Sequence, residues 1–204
     1  MTFPITTTLR RIFEATPWEA GRQQALAAAS KTEPDDEPIT FSAIVETVDF
    51  DDALWYCRAE PQHSRLWRLY AVWCARQVQH LMVDPRSFAA IDVAERHANG
   101  MATDEELCTA WSDADDAAWA AYDAAWAAAD AAADADKVAG DAAWAAYDAA
   151  WAAAEAAAND AACAAAYAAA WAAASDVERT GQRSVFVQLV TTGTLPPVKE
   201  ETYE

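Results

Sequence analysis

Hydrophobic residues in the first half of the chain recur at three- and four-residue steps, the spacing of helices that bury one face. One such series follows Pro61 and comprises Leu66, Leu69, Tyr70, Trp73, Val78 and Leu81. A second comprises Phe88, Ile91, Val93 and Ala94, between a helix start at Asp84-Pro85 and a helix end at Asn99-Gly100. No strand-like alternation is evident, so residues 1–101 are predicted to form an all-α globular domain.

Capping residues predict further, shorter helices in this half. Thr16-Pro17-Trp18-Glu19 has the form of a capping box with proline at the first helical position, and its helix is expected to run to about Ser30. Thr40 is expected to cap a helix through Val48, and Asp51 another through Ala59. The Pro-flanked residues 33–38 are predicted to be a polar loop.

The pattern changes at Thr103, where alanine, the strongest helix former, comes to occupy about half of the positions. Thr103-Asp104-Glu105-Glu106 has the form of a second capping box. Residues 116–130, DAAWAAYDAAWAAAD, recur with one change as residues 141–155, and a weaker copy runs from Cys163 to Asp176. Residues 102–179, the acidic segment, are therefore predicted to form a long helical rod or hairpin.

Tryptophan and tyrosine keep a heptad spacing within each copy and predict an aromatic seam along one helix face. Each buried aromatic side chain removes roughly 150–250 Å² from water, far more than alanine can, so the seam is expected to be the core. The predicted core residues, here called the aromatic seam, are Trp119, Tyr122, Trp126, Trp144, Tyr147, Trp151, Tyr167 and Trp171. The alternative, an exposed row of tryptophans that anchors a partner, stays open.

Glycine and asparagine mark where the acidic segment is expected to turn. Gly140 fits the residue after a helix and Asp141 the cap of the next, which predicts that the rod folds back there. Asn159-Asp160 is a weaker second break, so two helices or three are expected. Residues 180–204 are predicted to form a last unit, with a helix from Gln182 to Thr192, a stop at Gly193, and a loose tail from Pro196.

The formal charge of −19 is concentrated in the acidic segment, where 16 acidic and 2 basic residues leave −14. Such a field disfavours direct contact with nucleic acid or anionic membranes and attracts a protein partner with a basic surface. The predicted partner-binding residues are Asp113, Asp116, Asp123, Asp130, Asp134, Asp141, Asp148, Glu155 and Asp160. The simpler alternative is that these acids keep an Ala- and Trp-rich helix from aggregating.

Charge density limits how closely this segment could imitate DNA. A hairpin of its residues 103–178 would be about 57 Å long, with roughly one net charge per 4 Å. B-form DNA carries one per about 1.7 Å. Nucleic-acid mimicry is therefore expected to require folding back or pairing with a second copy, and a homodimer stays open.

Motifs for catalysis are missing from the sequence. It has no Gly-rich phosphate loop, GxSxG, HExxH or CxxC motif, and His63, His80 and His97 lie 17 residues apart. Carboxylates along a solvated helix face share one environment, whereas acid–base catalysis needs two different ones. The protein is therefore predicted to be no enzyme, with no cofactor and no metal site.

Cysteine usage and hydropathy suggest a cytoplasmic location in a bacterial host. The four cysteines, Cys57, Cys74, Cys108 and Cys163, are widely spaced and expected to be buried free thiols. The start lacks the charged and apolar regions of a secretory signal, and no apolar stretch is long enough to span a membrane.

Several segments resemble a group of Ala/Trp-rich proteins of phages and bacterial mobile regions, often labelled putative immunity proteins. The resemblance covers most of residues 38–178 and part of the tail, and its most specific pieces are Asp84-Pro85-Arg86 and Thr103–Leu107. Weaker pieces are residues 51–59, 69–76 and 90–96. Members often carry arginine in the Ala/Trp repeat, whereas this chain carries Asp and Glu. The resemblance implies no catalytic residues.

Together these observations predict a non-enzymatic acidic binding protein. The preferred hypothesis is a phage or mobile-element counter-defence inhibitor, directed against a CRISPR effector or restriction enzyme, that occludes a basic nucleic-acid-binding surface. Two alternatives stay open: an immunity protein that neutralises a toxin, and a structural or self-assembling protein.

Overall fold

A computed structural model describes residues 2–132, 137–158, 167–168, 171–172 and 176–198. These residues are mainly helical, which confirms the predicted all-α class. Their α-helices are α1 Leu9–Ala15, α2 Glu19–Ala28, α3 Phe41–Thr47, α4 Phe50–Trp55, α5 Ser64–Gln77, α6 Pro85–Ala98, α7 Asp104–Ala132, α8 Lys137–Ala156 and α9 Asp176–Thr192. Short 3₁₀ turns cover Tyr56–Ala59, Pro61–His63 and Gln79–Leu81.

One small strand pair is missing from the sequence prediction. β1 (Thr6–Thr7) pairs antiparallel with β2 (Ile39–Thr40), with Thr6 opposite Thr40. The backbone N–H of Ile5 also donates to the carbonyl of Val190 at 2.8 Å, which joins the start of the chain to α9. Two-residue strands are too short to produce an alternating pattern, so hydrophobic periodicity could not reveal them.

The capping predictions succeed where the polar side chain directly precedes the helix. Thr40 Oγ1 accepts from the N–H of Ala43 at 3.2 Å, and Asp84 Oδ1 accepts from that of Arg86 at 2.9 Å. In the Thr103 capping box, Thr103 Oγ1 accepts from the N–H of Glu106 at 3.2 Å, and Glu106 Oε2 accepts from that of Thr103 at 2.8 Å. These four bonds fix the starts of α3, α6 and α7.

Two capping predictions are wrong. Thr16 is buried at the end of α1, a helix the sequence prediction missed, and α2 begins only at Glu19. Asp49, and not Asp51, caps α4: its Oδ1 accepts from the N–H of Asp51 at 2.9 Å. For α4 a second aspartate two residues earlier offered an equally good cap, whereas α2 starts after Trp18 without a side-chain cap bond.

The core of the N-terminal half is an aromatic cluster completed by α9. Phe186 is fully buried, and its ring lies 5.2 Å from that of Tyr70, 5.8 Å from Phe50 and 6.0 Å from Trp67, centroid to centroid. α9 begins at Asp176, six residues before the predicted Gln182, and ends as predicted before Gly193, whose φ is +75°. The C-terminal helix is thus part of the N-terminal core.

The acidic segment folds back into an antiparallel hairpin, since α7 and α8 pack along each other. The predicted turn at Gly140 is wrong: α8 already begins at Lys137, so Gly140 is buried in its first turn and Asp141 is not its cap. Gly140 and Asp141, which were predicted to end one helix and cap the next, both lie inside α8. The second predicted break, Asn159-Asp160, lies outside the described residues.

A buried arginine anchors the hairpin to the rest of the fold. α8 packs against α5 and α6 as well as α7, and Arg68 of α5 is 3% exposed. Its Nη1 donates to the carbonyl of Ala156 at 3.3 Å and also to that of Ala158. A guanidinium at these carbonyls satisfies acceptors that every helix end leaves open and opposes the negative end of the helix dipole.

The three segments assigned from the sequence share one hydrophobic core. It extends from Leu9 and Phe41 through the alanines of α8 to Leu189. Within the described part of the chain, no helix combines the length and the hydropathy that crossing a bilayer requires.

Replacing Phe186 by alanine tests whether α9 belongs to this core. We expect the free energy of unfolding to fall by about 3–5 kcal/mol, because removal of a fully buried ring that contacts four other rings leaves a cavity. Urea unfolding measures the change, and Gln188→Ala on the exposed side of α9 is the matched control. A loss no larger than the control's would contradict the packing described here.

Candidate partner-binding surface

Alanine forms the contact face of the α7–α8 hairpin. On α7, Ala114, Ala117, Ala118 and Ala125 are at most 1% exposed, and on α8 the alanines at 149, 152, 153, 154 and 156 are equally buried. Such small side chains allow helix backbones to approach closely, and an indole ring between the backbones would hold the helices apart. The interior of the acidic segment is therefore built from methyl groups.

The aromatic seam lies at the edge of this contact and not inside it. Trp119, Trp126 and Tyr167 are 52%, 49% and 44% exposed, so the prediction that they form the core is wrong. The other five members are half-buried. At 100° per residue, the buried alanines of α7 lie roughly 100–160° around the helix from Trp119, which explains why its ring points away from them.

Edge-to-face contacts connect the seam across the two helices. Trp119 lies 6.0 Å from Trp151 and Trp126 lies 5.9 Å from Trp144, with interplanar angles of 74° and 72°. Tyr122 lies between them, 5.4 Å from Tyr147. These are the geometries that aromatic quadrupoles prefer, and each pair stabilises the arrangement by about 0.5–1.5 kcal/mol. The rings are thus held in place although much of their surface faces solvent.

Exposed carboxylates alternate with two of the exposed tryptophans of α7, Trp119 and Trp126. The Asp/Trp stripe consists of Asp116, Trp119, Asp123, Trp126 and Asp130, all of them exposed. Its steps are three and four residues, so consecutive members are neighbours on one helix face. Within the described residues, no ion pair neutralises the three aspartates of the stripe.

The other predicted partner-binding residues differ in their surroundings. Asp113 and Asp141 are exposed, whereas Asp134 and Asp160 lie outside the described residues. The pKa of the Arg86 guanidinium is raised by its hydrogen bond to Asp84, and the charges of Asp116 and Asp113 add to this effect. The N-terminal end of the acidic face is therefore close to one positive charge.

Asp148 and Glu155 do not belong to the solvated face on which they were predicted. Both are half-buried, because the C-terminal half of α8 packs against α5, α6 and α7. Burial raises the pKa of Asp148, and burial together with the charge of Asp115 raises the pKa of Glu155 to about 6. Glu155 is thus partly protonated near neutral pH and makes a poor substitute for a phosphate.

The Asp115–Glu155 pair follows the register of the aromatic contacts. Trp119 contacts Trp151 across the hairpin. Asp115 lies one turn before Trp119 on α7, and Glu155 lies one turn after Trp151 on α8. The sequence could not reveal this pair, because Asp115 and Glu155 come together only through the alignment of α7 with α8. The sequence likewise could not reveal that Arg68 of α5 donates to the carbonyls at the end of α8.

Cysteine and histidine positions are partly as expected. Cys57 and Cys74 are buried free thiols, whereas Cys108 is exposed on α7, against the prediction. Cys163 lies outside the described residues. Among the residues with a described position, no three His, Cys, Asp or Glu side chains are grouped to hold a metal ion.

A cavity of about 440 Å³ lies between α1, α2 and α3. Its lining is mostly apolar, with Leu9, Ile12 and Ile44 among the lining residues, and its polar lining residues are Lys31, Glu37, Thr40, Thr47 and Tyr56. Lys31 is already held by Asp35 and Glu37, at 2.5 and 2.6 Å. The cavity therefore presents few polar groups to fix a ligand's orientation, and the Asp/Trp stripe is the better candidate surface.

A larger residue in the alanine face tests the packing on which the stripe depends. We expect Ala118→Leu to lower the free energy of unfolding by about 1–3 kcal/mol, because Ala118 is fully buried and the added atoms force the structure apart. Ala120→Leu, on the exposed side of α7, is the control and should cost little. Equal costs in urea unfolding would mean that Ala118 is not in a close contact.

The raised pKa of Glu155 predicts a pH-dependent stability difference. The unfolded carboxyl has a pKa of 4.5 and the folded one about 6, so the native state binds the proton more tightly. The stability this contributes is fully present below pH 4.5 and is lost as the pH rises past 6. Glu155→Gln removes this titration. The free energy of unfolding of the variant, relative to that of the wild type, should therefore rise by on the order of 1 kcal/mol between pH 4 and 7, a value reduced by solvent screening of the partly exposed carboxyl.

Urea unfolding at a series of pH values measures this difference, with Asp123→Asn on the exposed stripe as the control. A wild-type stability that rises relative to Glu155→Gln over this interval would contradict a buried, repelled carboxyl at position 155.

Comparison with known proteins adds no relative. No family model, curated protein or solved structure matches the chain.

Proposed function

We propose that the protein is a non-enzymatic binding protein that covers a basic, nucleic-acid-binding surface of another protein. The observation that carries this proposal is the Asp/Trp stripe of α7, whose three aspartates are exposed and whose sign is that of the whole acidic segment, −14. A surface of a single sign repels nucleic acid and attracts the sites that nucleic acid occupies.

The spacing of the aspartates defines what kind of mimicry this surface supports. Asp116, Asp123 and Asp130 are seven residues apart, or about 10.5 Å along the helix. A DNA strand offers a phosphate every 3.4 Å or so, three times as many charges for the same length. The stripe therefore offers about a third of the charges that a DNA strand presents over the same length.

The proposed setting is a phage or mobile-element inhibitor of a host defence complex, such as a CRISPR effector or a restriction enzyme. The charge field and the resemblance to Ala/Trp-rich phage proteins support this setting. An immunity protein that neutralises a basic toxin would use the same surface, and the identity of the partner separates the two. Self-association is a second candidate, favoured by the half-exposed Trp119 and Trp126.

A capture experiment tests the proposal. Immobilised protein is mixed with nuclease-treated lysate of a bacterial host that carries defence systems, and bound proteins are eluted with salt or with double-stranded DNA. We expect the captured protein to be basic, to be released by DNA, and to be lost with Asp116→Asn/Asp123→Asn/Asp130→Asn. Removal of three charges from the contact should weaken binding about tenfold or more.

The matched control is Glu14→Gln/Glu46→Gln/Glu105→Gln, which makes the same change in net charge at exposed positions outside the stripe. Capture that persists in the stripe variant, or that neither salt nor DNA reverses, would contradict the proposal. Sedimentation of the purified protein at low and high salt separates it from the self-association candidate.

A further inference from the structure

The Asp/Trp stripe places each exposed indole between two exposed carboxylates. Trp119 follows Asp116 by three residues and precedes Asp123 by four, and Trp126 stands in the same relation to Asp123 and Asp130. Residues at these separations lie about 5–6 Å apart between their Cβ atoms. A cation placed on either ring therefore lies within reach of a carboxylate on each side.

Arginine fits this arrangement better than lysine does. Its guanidinium is planar and weakly hydrated, so it can stack on an indole while its N–H groups donate to a carboxylate beside the ring. The lysine ammonium is a compact, strongly hydrated charge without a flat face. A surface made of carboxylates alone would not distinguish the two, whereas one that alternates Asp with Trp does.

The tryptophans are already held in the orientation in which they are exposed. The ring centroid of Trp119 lies 5.7 Å from that of Tyr122 and 6.0 Å from that of Trp151, while Trp119 is 52% exposed to solvent. The ring centroid of Trp126 lies 6.0 Å from that of Tyr122 and 5.9 Å from that of Trp144. Because the rings are ordered before a partner arrives, binding loses little side-chain entropy at these positions.

The repeat distance of the stripe suggests the form of the partner segment. Trp119 and Trp126 are about 10.5 Å apart along α7, and three residues of an extended chain span about 10 Å. We propose that the stripe binds an extended segment that carries arginine at every third position, with one guanidinium on each of Trp119 and Trp126. A second copy of this chain is disfavoured as the occupant, since both copies would present the same acidic field.

This inference rests on the proposed function, because it specifies the chemistry of the basic surface that the stripe covers. It differs in requiring the tryptophans, whereas the proposed function requires only the carboxylates. The two can therefore fail separately.

Titration with two synthetic peptides tests the inference. One peptide repeats Arg-Ser-Ser four times, the other repeats Lys-Ser-Ser four times, and calorimetry measures their affinity for the intact protein. We expect the arginine peptide to bind about tenfold more tightly. Trp119→Leu/Trp126→Leu should abolish this preference and leave the lysine peptide's affinity unchanged, whereas Asp116→Asn/Asp123→Asn/Asp130→Asn should weaken both peptides.

Trp111→Leu is the control, since Trp111 is also exposed on α7 but is not flanked by two exposed carboxylates. It should keep the preference. Circular dichroism checks that each variant is folded. If the double variant does not fold, Trp126→Leu alone is measured, and it should reduce the logarithm of the arginine-to-lysine affinity ratio by about half.

Three results would overturn the inference. Equal affinity for the two peptides would do so while leaving the proposed function intact. A preference that survives in a folded Trp119→Leu/Trp126→Leu protein would also do so. The inference would also be overturned if neither peptide binds. In that case the proposed function would fail too only if the host lysate yields no protein that DNA displaces.

Discussion

Close contact between alanine faces is the constraint on which the rest of the acidic segment depends. The buried surface of α7 includes Ala114, Ala117, Ala118 and Ala125, and most of the buried residues of α8 are alanines as well. Methyl groups allow the helix backbones to approach closely, whereas an indole between the backbones would hold the helices apart. The tryptophans are therefore displaced to the edge, where they contact one another and solvent.

This displacement also divides the acids into two groups. Those on the α7 side of the seam, Asp116, Asp123 and Asp130, remain exposed because no part of the chain with a described position packs over that face. Those in equivalent repeat positions on α8, Asp148 and Glu155, are half-buried, and burial raises their pKa values. Two copies of one sequence repeat thus acquire different electrostatic roles from their different surroundings.

Local signals could be predicted from the sequence, and relations between distant segments could not. The helix starts after Thr40, Asp84 and Thr103 follow from side-chain bonds to nearby backbone, and the structure confirms them. The position of the seam could not be predicted, because with alanine at half of all positions the buried alanine stripe looks like every other face. The Asp115–Glu155 pair and the Arg68 cap needed the alignment of α5, α7 and α8.

The central claim is that Trp119 and Trp126 are surface residues of an alanine-centred hairpin, and their solvent contact can be measured directly. The protein is labelled with 5-fluorotryptophan, the signals are assigned by single Trp→Phe variants, and fluorine relaxation is recorded with a soluble gadolinium complex. We expect strong broadening for Trp119 and Trp126, which are 52% and 49% exposed, and little for Trp67, which is 1% exposed. Protection of all three to the same degree would place the seam in the core and contradict this account.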